Sequence, residues 1–136
     1  MSSTAKTFPT PLAFLIADSV IDDIGTRKKS IIGIFNSICS SRFPFRHAEL
    51  SLFVSLTEGY GEYNSRLVCS RASDEKEIFK TTGKVSFRNP NSVVEMSFTL
   101  RNIEFPTPGK YTFQFFCEDH LLILRPFEVV PLESEK

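Results

Sequence analysis

The stretch PTPGKYTFQFFCEDHL, residues 106–121, decides how the chain folds. From Tyr111 onward, Tyr111, Phe113, Phe115 and Cys117 fall on one side, with Thr112, Gln114 and Glu118 on the other. A side-chain period of two belongs to a pleated strand, and such alternation sets one sheet face on a core and the other toward water. Pro108 and Gly109 form a turn just ahead of the strand. Glu118, Asp119 and His120 then read as a tight hairpin into a last strand, LLILRPFEVV.

The same period recurs upstream. In ELSLFVSLTE, residues 49–58, Leu50, Leu52, Val54 and Leu56 oppose Ser51 and Ser55. In SVVEMSFTLR, residues 92–101, Val94, Met96, Phe98 and Leu100 oppose Glu95, Ser97, Thr99 and Arg101. Further strands are expected in AFLIADSV, KSIIGIFNSI, YNSRLVCSRA and IFKTTGKVSFRN, which are rich in β-branched and aromatic residues and separated by Gly, Pro, Asn and Asp. No window shows a helical period. About eight short strands at regular spacing predict an all-β, antiparallel sandwich of immunoglobulin-like or C2-like type, favoured over a closed barrel. Tyr111 supports the sandwich, because in immunoglobulin-like domains a tyrosine near the start of a late strand hydrogen-bonds back across a corner.

The chain of 136 residues suits one domain, 1–136, ordered over about 9–132 with short flexible tails, MSSTAKT and ESEK. Tryptophan is absent and phenylalanine occurs 14 times, so the core is built on Phe, Leu, Ile and Val. Sixteen basic and sixteen acidic residues leave no net charge, unlike a dedicated nucleic-acid binder with its basic excess. A neutral chain also lacks the self-repulsion that keeps copies apart. Cys39, Cys69 and Cys117 form no C-x-x-C pair; three widely spaced cysteines fit a reducing compartment and buried thiols acting as small apolar groups. The apolar run Leu12–Ala17 is shorter than a secretory core of about 7–15 residues and far short of a span of about 20. A cytoplasmic protein with no membrane span is therefore expected.

FLIADSVIDDIGTRKKSIIGIFNSI, FPFRHAELSLFVSLTEGYGEY, FPTPGKYTFQFF and the closing PFEVVPL together resemble one family. It is a domain-of-unknown-function family of short, mainly bacterial proteins, and the resemblance runs from about Leu12 to Leu132. It implies a single-domain β-sandwich and transfers no catalytic or binding residue.

No enzyme constellation is legible. His47 and His120, the two histidines, both fall in expected turns, whereas a Ser-His-Asp or Cys-His device needs a base held beside a nucleophile. G-x-S-x-G, Walker A and G-x-G-x-x-G are missing from the sequence. In SSRFPFRH, Arg42, Phe43, Phe45 and Arg46 interleave cations with aromatics. That pattern can grip single-stranded nucleic acid, but two of each in one loop, with Pro44 between, reads first as a cap on the end of the core. If the rings protrude, the four residues become a protein-contact patch.

Acidic residues offer a second reading. If each of eight strands reverses direction, Asp22 and Asp23 share a loop end with Glu58 and Glu62, opposite the Arg42–His47 loop. Calcium takes six to eight oxygens, often carboxylates from several loops, and C2-type sandwiches hold it at one loop end. Against this, Asp and Gly favour turns for local reasons, and Arg27, Lys28 and Lys29 balance the charge. KKSIIGIFNSI carries Ile32, Ile34 and Ile38 on one stripe and Ile31, Gly33, Phe35 and Cys39 on the other. That reads as a central strand buried on both faces, or alternatively as an outer face joining a second copy in a homodimer. The expectation is thus a non-catalytic interaction or structural module without cofactor, contacting an unknown protein partner through Arg42, Phe43, Phe45 and Arg46. The alternative is a calcium-responsive C2-like domain using Asp22, Asp23, Glu58 and Glu62.

Overall fold

The computed structural model describes residues 7–132. Nine strands follow in chain order: β1 (Thr10–Asp22), β2 (Lys29–Ile34), β3 (Ser37–Ser40), β4 (Phe45–Thr57), β5 (Gly61–Arg71), β6 (Glu77–Phe87), β7 (Val93–Phe105), β8 (Gly109–Cys117) and β9 (His120–Pro131). They form two sheets, one ordered β2-β1-β4-β7 and the other β3-β9-β8-β5-β6. Every ladder is antiparallel except β3 against β9, which is parallel. The described residues contain no helix long and apolar enough to cross a membrane.

The inner faces share one core, and the alternating residues build it. Leu50, Leu52, Val54 and Leu56 of β4 are fully buried, as are Tyr111, Phe113 and Cys117 of β8, with Phe115 all but so. Each such side chain contributes roughly 1.5–3 kcal/mol by leaving water. One end of the core is a stack of rings. Phe127 lies 5.1 Å from Phe113 and 5.8 Å from Phe105, and Phe105 meets Tyr111 edge-on at 5.1 Å. The Tyr111 hydroxyl donates to the Thr107 carbonyl at 2.6 Å, tying the strand to the turn before it. The hairpin after β8 is the expected tight one: Glu118 and Asp119 both have positive φ, 50° and 64°, matching the right-handed twist of the flanking strands.

At the other end Tyr63, also fully buried, donates to the Thr7 carbonyl at 2.7 Å and accepts the Tyr60 N–H at 3.0 Å. Phe8 stacks on His120 at 4.0 Å. Thr7 and Phe8 thus already join the fold; residues 1–6 and 133–136, which hold most of the expected tails, lie outside the described residues.

Several expectations are corrected. The segment KSIIGIFNSI is two strands, so there are nine strands in place of eight. β2 runs antiparallel to β1 in one sheet, and after Phe35 and Asn36 the chain crosses to the other sheet and reverses as β3. β2 is an edge strand, not a central one: Ile32 and Ile34 are 48% and 54% exposed. His47 and His120 sit within β4 and at the start of β9 rather than in turns.

The thiols also divide. Cys69 and Cys117 are buried in the core, whereas Cys39 is exposed, contrary to the expectation of three buried thiols. Burial pushes the Cys69 thiol well above its ordinary range. Thiol-reagent titration of the native protein should therefore modify Cys39 promptly and Cys69 and Cys117 only after denaturant is added. Prompt modification of more than one thiol would contradict this core.

Candidate functional site

The missed reversal at Asn36 inverts the expected loop ends for everything downstream. Asp22 pairs with Lys29 at one end of β1, while Thr10 at the other end pairs with Thr57, next to Glu58. A thirteen-residue strand separates the two acidic groups by roughly 40 Å. The four carboxylates cannot face one ion, and the described residues contain no cluster of three or more His, Cys, Asp or Glu suited to a metal.

Each carboxylate has a local partner instead. Asp22 meets the Lys29 ammonium at 2.6 Å. Asp23 accepts the N–H groups of Gly25 and Thr26 at 2.8 and 3.0 Å, which closes the turn. The Thr26 and Gly25 N–H groups hold its carboxyl below the usual carboxylate range. Glu58 accepts the Thr10 hydroxyl at 2.5 Å, and Glu62 lies 3.7 Å from Lys84.

The Arg42–Arg46 segment stands at the Asp22 end, not opposite it, since Phe45 pairs with Phe105 and Ser40 with Pro131. Ser40 fixes the loop by donating to the Arg42 carbonyl at 2.8 Å. The Phe43–Pro44 peptide is cis. Phe43 and Phe45 are half-buried and pack on the core, Phe45 stacking on Phe105 at 6.5 Å. They cap the core, leaving the exposed Arg42 and Arg46 as the polar rim; Arg46 meets Glu104 at 3.2 Å.

Beside this cap lies a cleft of about 290 Å³, opening where β2 and β3 leave the two sheets unjoined. Phe35, Ile38 and Phe45 give it an apolar floor, and Asp18, Cys39 and His47 bring polar groups to it. The His47 ring packs against Phe45 at 5.8 Å and Phe35 at 6.3 Å. Next to the cleft runs the free edge of β2, where Ile32 and Ile34 stand opposite Ser19 and Ala17 of β1. They share the face of Ile21, turned away from the buried Phe14 and Ile16, and Ile21 is 46% exposed.

Sequence reasoning chose the cap, kept a second copy on the outer face of this strand as the alternative, and did not place the strand at an edge. Its one local signal was Asn36 between two apolar runs, together with Gly33, whose φ of +73° breaks a regular strand. The Asp18 carboxylate lies where a Gly33 side chain would begin.

No curated protein matches the chain. Residues 12–130 do match one family model, a span close to that carrying the resemblance in the sequence. By that match, covering most of its length, the chain belongs to the family of unknown function DUF6941.

Proposed function

We propose that the chain is a non-catalytic, cytoplasmic interaction module of immunoglobulin-like or C2-like build, which pairs with a second copy of itself along β2. The observation that carries this reading is the free β2 edge. Among the described residues no strand pairs with its outer backbone N–H and C=O groups, and Ile32 and Ile34 stand exposed beside them. An edge of that kind is a template for strand addition, and natural edges are usually short, charged or covered to prevent it. Lys28 and Lys29 guard only its first positions. The absence of net charge removes long-range repulsion between copies. Gly33 ends the regular edge early, so the pairing is short and the dimer concentration-dependent. Arg42, Phe43, Phe45 and Arg46, at the same end, would flank the contact.

Light-scattering mass at two concentrations tests the proposal. The mass should rise from monomer toward dimer with concentration, and Ile32→Lys/Ile34→Lys should hold it at the monomer. An unchanged monomer mass across the range, or a dimer indifferent to the double substitution, would overturn it.

A further inference from the structure

On the opposite side of the molecule, β6 and β7 are the free edges of their sheets and face each other without a ladder between them. A second cleft, of about 320 Å³, enters the inter-sheet space there. Its origin is one rung of the β6-β5-β8 ladders. Gly83 pairs with Ser65, and Ser65 pairs with Cys117. Three small residues therefore stand side by side on the inner face, between a rung carrying Tyr63 and Val85 and one carrying Leu67 and Phe115.

The space this rung leaves has an amphipathic lining. Leu67 and Phe115, both 1% exposed, form the floor, and Met96 and Phe98 of β7 form the facing wall, half-buried and packed on the core. Phe98 and Phe115 meet tilted, with centroids 6.2 Å apart, so their rings bound the inner limit of the cleft. The mouth is polar, with Thr81 on the inner face, while Thr82 and Lys84 start from the outer face of β6, opposite Arg66 and Asn64, along its free edge. Lys84 is exposed, and its 3.7 Å ion pair with Glu62 is long and solvated, a kind that contributes little and exchanges readily.

We propose that this cleft binds a medium-chain carboxylate, its alkyl chain in the space above the Gly83–Ser65–Cys117 rung and its head group at the open β6 edge, where the Lys84 side chain turns round from the outer face and exchanges Glu62 for the ligand. The apolar floor selects the chain and the ammonium selects the anion. At about 30 Å³ for each water-sized group, the volume admits roughly eight to ten carbon atoms. That is the lower end of the size range of ligand pockets.

Met96 reports on the cleft directly, because the chain has only one other methionine, Met1. With 13C-methyl methionine, decanoate below its micelle concentration should shift the Met96 methyl signal saturably and leave Met1 unmoved. Gly83→Val fills the rung from β6. Gly83 has no left-handed φ, and its added Cβ would meet nothing nearer than Ser65 Oγ at 3.6 Å, so the variant should fold. It should weaken decanoate binding about tenfold or more by displacing two or three methylenes. Ser65→Val fills the same rung from β5 and should act alike, which keeps the test valid if either variant fails to fold. Lys84→Gln should weaken decanoate about three- to fivefold while leaving decanol unchanged. A Met96 signal that does not move, that moves in step with Met1, or that still saturates normally in the folded filling variants would overturn the proposal.

Discussion

Phe127→Ala should lower the stability of the protein by about 3–5 kcal/mol, the usual range for removing a buried ring and leaving a cavity. Phe127 is 3% exposed and contacts three rings: Phe113 stacked at 5.1 Å, Phe105 edge-on at 5.8 Å and Tyr111 at 5.9 Å. Phe113 and Tyr111 stand on the neighbouring strand β8 and Phe105 on β7 of the opposite sheet, so no single side chain can move to fill the gap. Each ring pair adds roughly 0.5–1.5 kcal/mol beyond area burial. Against a typical total of about 5–15 kcal/mol, the loss removes a large share of the fold's margin. Phe116→Ala is the control. Phe116 lies on the outer face of β8, half-buried, with the Arg66 guanidinium 4.1 Å above its ring. A surface cation–π contact contributes about 0.5–1 kcal/mol, so that variant should lose far less. Urea unfolding followed by circular dichroism gives both values; equal losses would show that the ring stack is not the structural centre proposed for it.

The stack also shows how much of the fold the sequence reveals. Period-two alternation placed Tyr111, Phe113, Phe115 and Cys117 on the inner face, and all four are buried there. The Tyr111 hydroxyl makes the backward bond to Thr107 that its place after a Pro-Gly turn suggested. These features are local, because pleat and turn geometry act over a few residues. What the sequence did not reveal depends on pairing between distant segments. Whether KSIIGIFNSI lies at the centre or the edge of a sheet is decided by which strands flank it, and its two apolar faces fit either position. One unrecognised reversal at Asn36 then put Glu58 and Glu62 at the end of Asp22 and Asp23 and the Arg42–Arg46 loop opposite it, the reverse of where each stands.

Both clefts escaped sequence reading for the same reason. Gly83, Ser65 and Cys117 lie in three separate segments, and each alone is an unremarkable strand residue. Only the ladder registers make them neighbours and turn three small side chains into a gap. His47 looked like a turn residue because Pro44 precedes it, yet the strand begins at Phe45, immediately after the proline. Proline at the position before a strand is compatible with this, since it removes no ladder hydrogen bond there.

Gly59→Ala should be the most damaging single-methyl change in the loops. A Cβ at Gly59 would stand 2.4 Å from two carbons of the Phe87 ring, closer than real side chains come. The ring has nowhere to go: Phe87 is 4% exposed and packs edge-on against Tyr63 at 5.8 Å. Tyr63 is itself pinned, its hydroxyl donating to Thr7 and accepting from Tyr60. The methyl must therefore displace either the β4–β5 turn or the end of the core, at an overpacking cost of about 1–3 kcal/mol. Gly61→Ala, two residues on, separates this effect from backbone strain. Gly61 has a φ of +79° but nothing within 4 Å of its would-be Cβ, so only the left-handed conformation is penalised, by roughly 1–2 kcal/mol. The two variants also differ in kind. Gly59→Ala should perturb the Tyr63 fluorescence and the Tyr60–Tyr63 contact in the native state, while Gly61→Ala should lower stability with the native spectrum intact. A Gly59→Ala protein with unchanged melting temperature and tyrosine spectrum would mean that the turn can rise off Phe87 freely, and that the Thr7–Tyr63–Tyr60 bonds do not hold it down.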